Sequence, residues 1–291
     1  MQISSLFDGR STVSFEFYPP KTDMARTALL ETIDHLAPIG PDFVSMTYGA
    51  GGSTRTVSID AAAQISKRTP AAVMSHLTGV CHTRDEIAAI ADQLWSLGIQ
   101  NLMALRGDLP QDSEVSDPFA SFRYSKDLIP FLKSVHPFCI GSGCYPEGHL
   151  ETPDIQVGIE HLKEKVDAGC DFLVTQMFLS NKSYFDFVDR TTAAGIAVPI
   201  LPGIMPVTGF SQLEKFESKF GVKLPKELWD RVKEHGDDKV AIEQIGVEWA
   251  AEQCKELLDA GAPGIHFYTL NKSLATIRVC DLLNLKGRSV Q

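Results

Sequence analysis

Seven residues with versatile side chains sit at or just past the end of short apolar runs. They are Glu16 in VSFEFY, Thr47 in FVSMTY, His76 in AVMSHL, Asp108 after IQNLMAL, Tyr145 in FCIGSGCY, Gln176 in CDFLVTQM and Tyr268 in GIHFYTL. Glu16 is the sharpest of them. Flanked by Phe15 and Phe17, an ionised carboxylate is costly unless it is paired or protonated. Desolvation would raise its pKa and suit it to donating a proton near neutral pH. The plainer alternative is a strand-end Glu whose head reaches solvent. The segment NLMALRGDLP poses the same choice: an apolar run ends in Arg106-Gly107-Asp108, either a charged loop or a strand delivering charge to a site at its end.

Other chemistries find little support. The glycine-rich TYGAGGSTR loop (47–55) matches neither the P-loop nor the dinucleotide fingerprint. His76 and His82 have no partners at metal-ligand spacing, and no G-x-S-x-G occurs. The six cysteines form no C-x-x-C and fall partly in apolar runs, so reduced structural thiols are expected. An adhesion role for the RGD tripeptide is discounted, because it follows directly on an apolar strand.

The elements that must position these residues alternate in type. Strands are predicted at 13–18, 43–48, 72–77, 99–105, 138–145, 170–177, 198–204 and 264–270, separated by helical patterns. In TRDEIAAIADQLWSLG (83–98), Ile87, Ile90, Leu94 and Leu97 recur at helical spacing behind a Thr N-cap, with Glu86 completing a capping box. Eight strand–helix units predict an α/β protein, a (β/α)8 barrel, with a doubly wound open sheet as the alternative. Polar residues at strand C-termini are then the ones to examine, because that face carries the active site in such barrels. The polar stretch 211–239 is long for one connection and predicts an extra helical element before the last strand. No linker divides the chain, so residues 1–291 are taken as one catalytic domain. The net charge of −10 argues against a nucleic-acid partner. No run approaches the roughly 18 apolar residues of a membrane span, and MQISSLFDGRS lacks an apolar signal core; a cytoplasmic protein is expected.

Taken together, SFEFYPPK, SMTYGAGGSTR, HLTGVCHTRDEI, NLMALRGDLP, CYPEGH, LKEKVDAG, VTQM, PILPGIMPV and HFYTLNKS resemble the methylenetetrahydrofolate reductase family in its bacterial, catalytic-domain-only form. The likeness spans residues 13–273 in order. It implies a TIM barrel binding FAD at the strand C-termini, with NADH or NADPH as reductant and 5,10-methylenetetrahydrofolate as substrate. By motif position, Glu16 resembles the family's general acid and Asp108 the carboxylate beside flavin and pterin. Thr47, Tyr48, Ala50, His76, Arg106, Gly107, Ser125, Tyr145, His149, His161 and Lys165 fall at flavin-contacting positions. Gln176 matches a residue shared by folate and nicotinamide, Phe210 an aromatic that packs on substrate, and Lys272 a cation associated with folate. Four positions depart from the family pattern: Gly158 replaces an Asp on the FAD ribose or adenosine side, Leu150 a Pro, Met177 a Phe and Lys272 an Arg. Two alternatives stay open. One is a flavin-barrel oxidoreductase of the proline dehydrogenase type, against which the YPPK and TYGAGGST segments speak. The other is a folate- or flavin-binding subunit that needs a partner reductase. For assembly, a homo-oligomer stays open beside the partner reductase subunit.

Overall fold

The computed structural model describes residues 1–49, 55–109 and 116–285. Its strands are β1 (Thr12–Phe17), β2 (Phe43–Met46), β3 (Ala72–Thr78), β4 (Asn101–Leu105), β5 (Cys139–Cys144), β6 (Phe172–Thr175), β7 (Ile200–Leu201), β8 (Gly203–Ile204) and β9 (Gly264–Tyr268). All pair in parallel, in the order β7-β6-β5-β4-β3-β2-β1-β9-β8. The run at 198–204 was expected to be one strand, and Pro202 divides it. Proline has no N–H to donate, so the two halves pair on opposite sides. Ile200 and Leu201 meet β6, whereas Gly203 and Ile204 meet β9, and the Pro202 carbonyl accepts from His266 N at 3.0 Å. This split strand closes the ring, so the fold is the expected (β/α)8 TIM barrel.

Strand alternation sorts the side chains. Val13, Phe15 and Phe17 of β1 and Ile265 and Phe267 of β9 face the surrounding helices in the main core. The opposite parity faces the barrel axis, where Phe43, Met74, Met103, Phe172, Val174 and Leu201 fill the lower half. A short 3-10 turn at Ile3–Phe7, not anticipated from sequence, plugs that lower end: Ile3 is fully buried there, and its N–H donates to Asn101 Oδ1 at 2.8 Å. Above this plug the inward positions turn polar.

The helices carry the return path of each unit: α1 (Asp23–Leu36), α2 (Arg55–Ser66), α3 (Arg84–Ser96), α4 (Ser125–Val135), α5 (Ile155–Asp167) and α6 (Asn181–Ala193). The Thr83–Glu86 capping box forms as expected, and Ile87, Ile90 and Leu94 are buried, while Leu97 is the exposed C-cap. The predicted extra element is a pair of helices, α7 (Phe210–Phe220) and α8 (Lys226–Glu234), ahead of α9 (Lys239–Asp259). Leu213, Phe216, Leu228 and Val232 give this pair a core of its own, shared with Val207 and Ile242. The last helix is α10 (Leu274–Leu282). Among the described residues no helix is long and apolar enough to cross a membrane.

Candidate active site at the barrel mouth

Parallel register brings Glu16 beside Ser45 of β2 and Tyr268 of β9, and Ser14 beside His266. All five point to the barrel axis by strand alternation. Three groups converge on one carboxylate oxygen: Ser45 Oγ lies 3.3 Å from Glu16 Oε2, His76 Nε2 3.2 Å and His266 Nε2 3.4 Å. The Glu16 side chain keeps 16% of its exposure, so it is buried but not sealed. Burial alone pushes its carboxyl up, but the nearby charge of His76 and the hydrogen bond and charge of His266 together outweigh it and hold the pKa at about 2. The expectation of a raised pKa is therefore corrected: before ligand arrives, Glu16 is a carboxylate. What sequence could not supply was the pair of imidazoles on other strands.

The backbone around Glu16 is tied down at the end of β9. Its carbonyl accepts from Thr269 Oγ1 at 2.7 Å. The Asn271 side chain, on a left-handed residue, bonds both N and O of Tyr18 at 2.9 Å. Among the described residues, two buried side-chain polar atoms lack a hydrogen-bond partner, His76 Nε2 and Thr78 Oγ1. His76 Nε2 is close to Glu16 but misaligned for a hydrogen bond. Both orphans lie on the inward face of β3 near the mouth, and because buried polar groups in native proteins are normally satisfied, each has capacity for a further hydrogen bond.

The Arg106-Gly107-Asp108 turn follows β4. Gly107 has φ +87°, and a Cβ there would come within 2.5 Å of Val80 Cγ1 and 2.7 Å of Thr78 Cβ, so only glycine fits. Arg106 makes a two-pronged contact to Glu151, at 2.6 and 3.0 Å, and lies over the Phe119 ring. That contact raises the arginine pKa and lowers the glutamate's. Asp108 is exposed beyond the turn.

A second group lies at the ends of β5 and α5. Tyr145 meets the His149 ring edge-on at 4.6 Å, and Lys165 Nζ donates to the Gly143 carbonyl at 2.9 Å. Burial pushes Tyr145 up to about 12, reinforced by the charge of Asp108, and pushes Lys165 and His149 down. Together with Gly148 and Gly158 these side chains line a small cavity. A Cβ at Gly158 would meet nothing within 4 Å, so packing does not demand glycine there.

The remaining expected residues are dispersed. Thr47 donates its N–H to Phe17 O, and Tyr48 Oη lies 3.4 Å from His82 Nε2, its phenol pushed up to about 12 by burial. Ala50 lies outside the described residues. Ser125 is buried at the start of α4, and His161 is exposed one turn before Lys165. Gln176 Oε1 accepts from Met177 N. Phe210 packs on Trp229 at 5.1 Å, at the start of α7, and Lys272 is exposed in the turn after β9. Sequence reading missed Ser14, Ser45 and His266. His266 had a usable signal, since it precedes Tyr268 by two residues and so shares its face. A larger, mostly apolar cavity of about 550 Å³ lies at the opposite end of the barrel, between Phe7, Ile200 and Pro263. It holds none of these groups.

The family model for methylenetetrahydrofolate reductase matches residues 2–284. The chain is 38% identical over 278 residues to the 5,10-methylenetetrahydrofolate reductase of Escherichia coli K12, covering 96% of this chain and 92% of that one. The enzyme of the same name from Pectobacterium carotovorum is 37% identical with the same coverage. Methylenetetrahydrofolate reductase 1 of Schizosaccharomyces pombe is 36% identical over 94% of this chain but only 46% of its own length. Among solved structures, an uncharacterized protein from Clostridium thermocellum that binds two copies of 5-methyl-5,6,7,8-tetrahydrofolic acid superposes with a TM-score of 0.64. Its identity is 13%, with 98% and 99% of the two chains covered, a likeness of fold.

Proposed function

Because the chain belongs to the methylenetetrahydrofolate reductase family, we propose that it reduces 5,10-methylenetetrahydrofolate to 5-methyltetrahydrofolate at the barrel mouth, with bound FAD and with NADH or NADPH as reductant. The observation that carries this reading is the buried Glu16 carboxylate, gripped through one oxygen near the ends of β1, β2, β3 and β9. The residues present fit a planar, polar cofactor above it. His76 Nε2 and Thr78 Oγ1 await partners, and Arg106, Lys165, Tyr145 and His149 ring the ends of β4 and β5. FAD, when bound, supplies the two-electron relay between nicotinamide and folate.

The chain's own residues bind, orient and move the proton. Thr47, Tyr48, Ala50, His76, Arg106, Gly107, Ser125, Tyr145, His149, His161 and Lys165 hold the cofactor. Gln176, Phe210 and Lys272 orient the folate. Glu16 gives a proton to the folate's bridging nitrogen, opening the five-membered ring to a cationic iminium. Since Glu16 starts as a carboxylate, it must gain that proton as ligands cover the mouth. Closing the site removes water, which disfavours the charged form and moves the group toward a general acid. Asp108 sets a negative charge near the iminium.

The test is anaerobic mixing. Purified protein should take up FAD, lose its yellow colour with NADH or NADPH, and regain it when methylenetetrahydrofolate is added. A flavin that neither nicotinamide bleaches, but that exchanges electrons with folate, would favour the partner-dependent subunit instead. Bleaching without recovery on folate addition would sink the reading.

A further inference from the structure

Behind Glu16 lies a buried relay that the proposed reaction has not yet used. Ser14 and His266 are both fully buried. Ser14 Oγ is 2.8 Å from His266 Nδ1 and 3.3 Å from the carbonyl of Ile265, and His266 Nε2 is 3.4 Å from Glu16 Oε2. The His266 ring stacks on Phe43 at 5.7 Å and meets Tyr268 edge-on at 5.4 Å.

The protons around this chain can be counted. Ser14 has one hydroxyl proton, and a carbonyl only accepts. When Ser14 donates to Ile265, it must accept from Nδ1–H. Nε2 and Oε2 then face each other and need one shared proton, held either as imidazolium and carboxylate or as imidazole and carboxylic acid. Both forms have zero net charge. A ring face against Phe43 favours the cation.

We propose that His266, oriented by Ser14, is a positioning residue that stores the proton Glu16 delivers. In the open site the proton sits on Nε2. As ligand covers the mouth, the Nε2–H bond breaks and the Oε2–H bond forms, leaving a neutral imidazole and a carboxylic acid. After Glu16 protonates the substrate, a proton taken up from bulk solvent through water reloads the pair. The depressed pKa of Glu16 comes first from the charge of His76, with the hydrogen bond of His266 next and its charge a smaller part, so the geometry of the Ser14–His266–Glu16 chain carries the proposal. Other titratable groups facing the pair are His76 on β3 and Tyr268 on β9, with Tyr145 of the β5 end beyond Tyr268. Ser45, Phe43 and Gly203, on the adjoining strands, bring no charge. His76 is the weaker candidate for the store, because its Nε2 lacks an aligned hydrogen bond.

This inference rests on the proposed reaction, so its test has an arm independent of activity. In the whole protein, histidine-ring nitrogen NMR at neutral pH should show both nitrogens of His266 protonated. In Glu16→Gln the ring should become neutral, because the carboxylate that holds the proton is gone. A His266 that is neutral in the native protein, with its single proton on Nε2, means that Ser14 donates to Nδ1, and overturns the store. In the kinetic arm, the folate half-reaction is followed against pH for the native protein, His266→Gln and Ser14→Ala. His266→Gln keeps a donor near Oε2 but cannot store a proton. It should slow folate reduction at neutral pH by about tenfold or more, within the usual reach of general acid catalysis, and shift the alkaline limb, where the shared proton is lost, to lower pH. Ser14→Ala, the gentler change, should shift the limb the same way by less. Limbs that coincide in all three proteins overturn the proposal. Failure of folate reduction in the native protein, with both ring nitrogens protonated, would refute the reductase reading and leave the proton pair standing.

Discussion

The two ends of the barrel treat buried polar groups in opposite ways. At the lower end, among the described residues, each buried side-chain polar atom has a hydrogen-bond partner. Asp42, 2% exposed, is paired with Arg10 and accepts from Val13 N at 2.8 Å. Asn101 serves Ile3 N, Met1 O and Val73 O, and Asp171 holds Lys133 and Ile140 N. At the mouth, three groups crowd one oxygen of Glu16 while His76 Nε2 and Thr78 Oγ1 go without a hydrogen bond. Groups whose bonds are complete hold a fold. Groups left incomplete lower stability slightly and remain free to bind a ligand.

Substitutions at each end should therefore fail in different ways, and the largest effect is expected at the mouth. Glu16→Gln should leave fold and flavin reduction in place but cut folate reduction by about 10²–10⁴-fold, the reach of general acid catalysis. Stopped-flow measurement of the two half-reactions checks this, and a native folate rate in the variant would make Glu16 a structural strand-end residue.

The same residue gives a pH signature. Its folded pKa of about 2 lies below the ordinary 4.5, so its stabilising contribution is complete above pH 4.5 and is lost as pH falls from 4.5 through 2. By linkage this amounts to at most about 3 kcal/mol. Melting curves across that window should show a steeper acid loss for the native protein than for Glu16→Gln. Parallel curves would mean that the histidines do not hold the carboxylate charged.

The lower end should respond in stability alone. Asp42→Ala leaves Val13 N–H buried without an acceptor, for about 2 kcal/mol, read from the denaturant midpoint. FAD affinity per folded molecule should be unaltered; a matching loss of affinity would show that the two ends are coupled.

Asp108→Asn should give the smallest effect. If FAD binds as proposed, removing this negative charge should raise the flavin midpoint potential and slow hydride donation to folate. Because Asp108 is exposed, water screens it, and the slowing should stay below about tenfold. A larger loss would mean that ligand binding buries this carboxylate.

Much of the frame was legible in the chain because its signals are local. Period-two alternation places Glu16, His76, Tyr145, Gln176 and Tyr268 near strand ends, and the Thr83–Glu86 capping box starts α3 where it was expected. The extra helical element before the last strand follows from segment length. Register between strands is different, because it joins residues far apart in sequence. That β9 lies against β1, setting His266 beside Ser14 and within reach of Glu16, depends on closing the ring, to which Pro202 contributes by splitting a strand. The sign of the Glu16 shift had the same origin. Burial, a property of its own strand, argues for a raised pKa, but two imidazoles delivered by β3 and β9 outweigh it. Arg106 likewise meets Glu151 only because β4 and β5 are neighbours. Local periodicity therefore determined which residues stand at the mouth, and tertiary closure decided which of them touch, because electrostatic and hydrogen-bond energies depend on distances that only the assembled barrel sets.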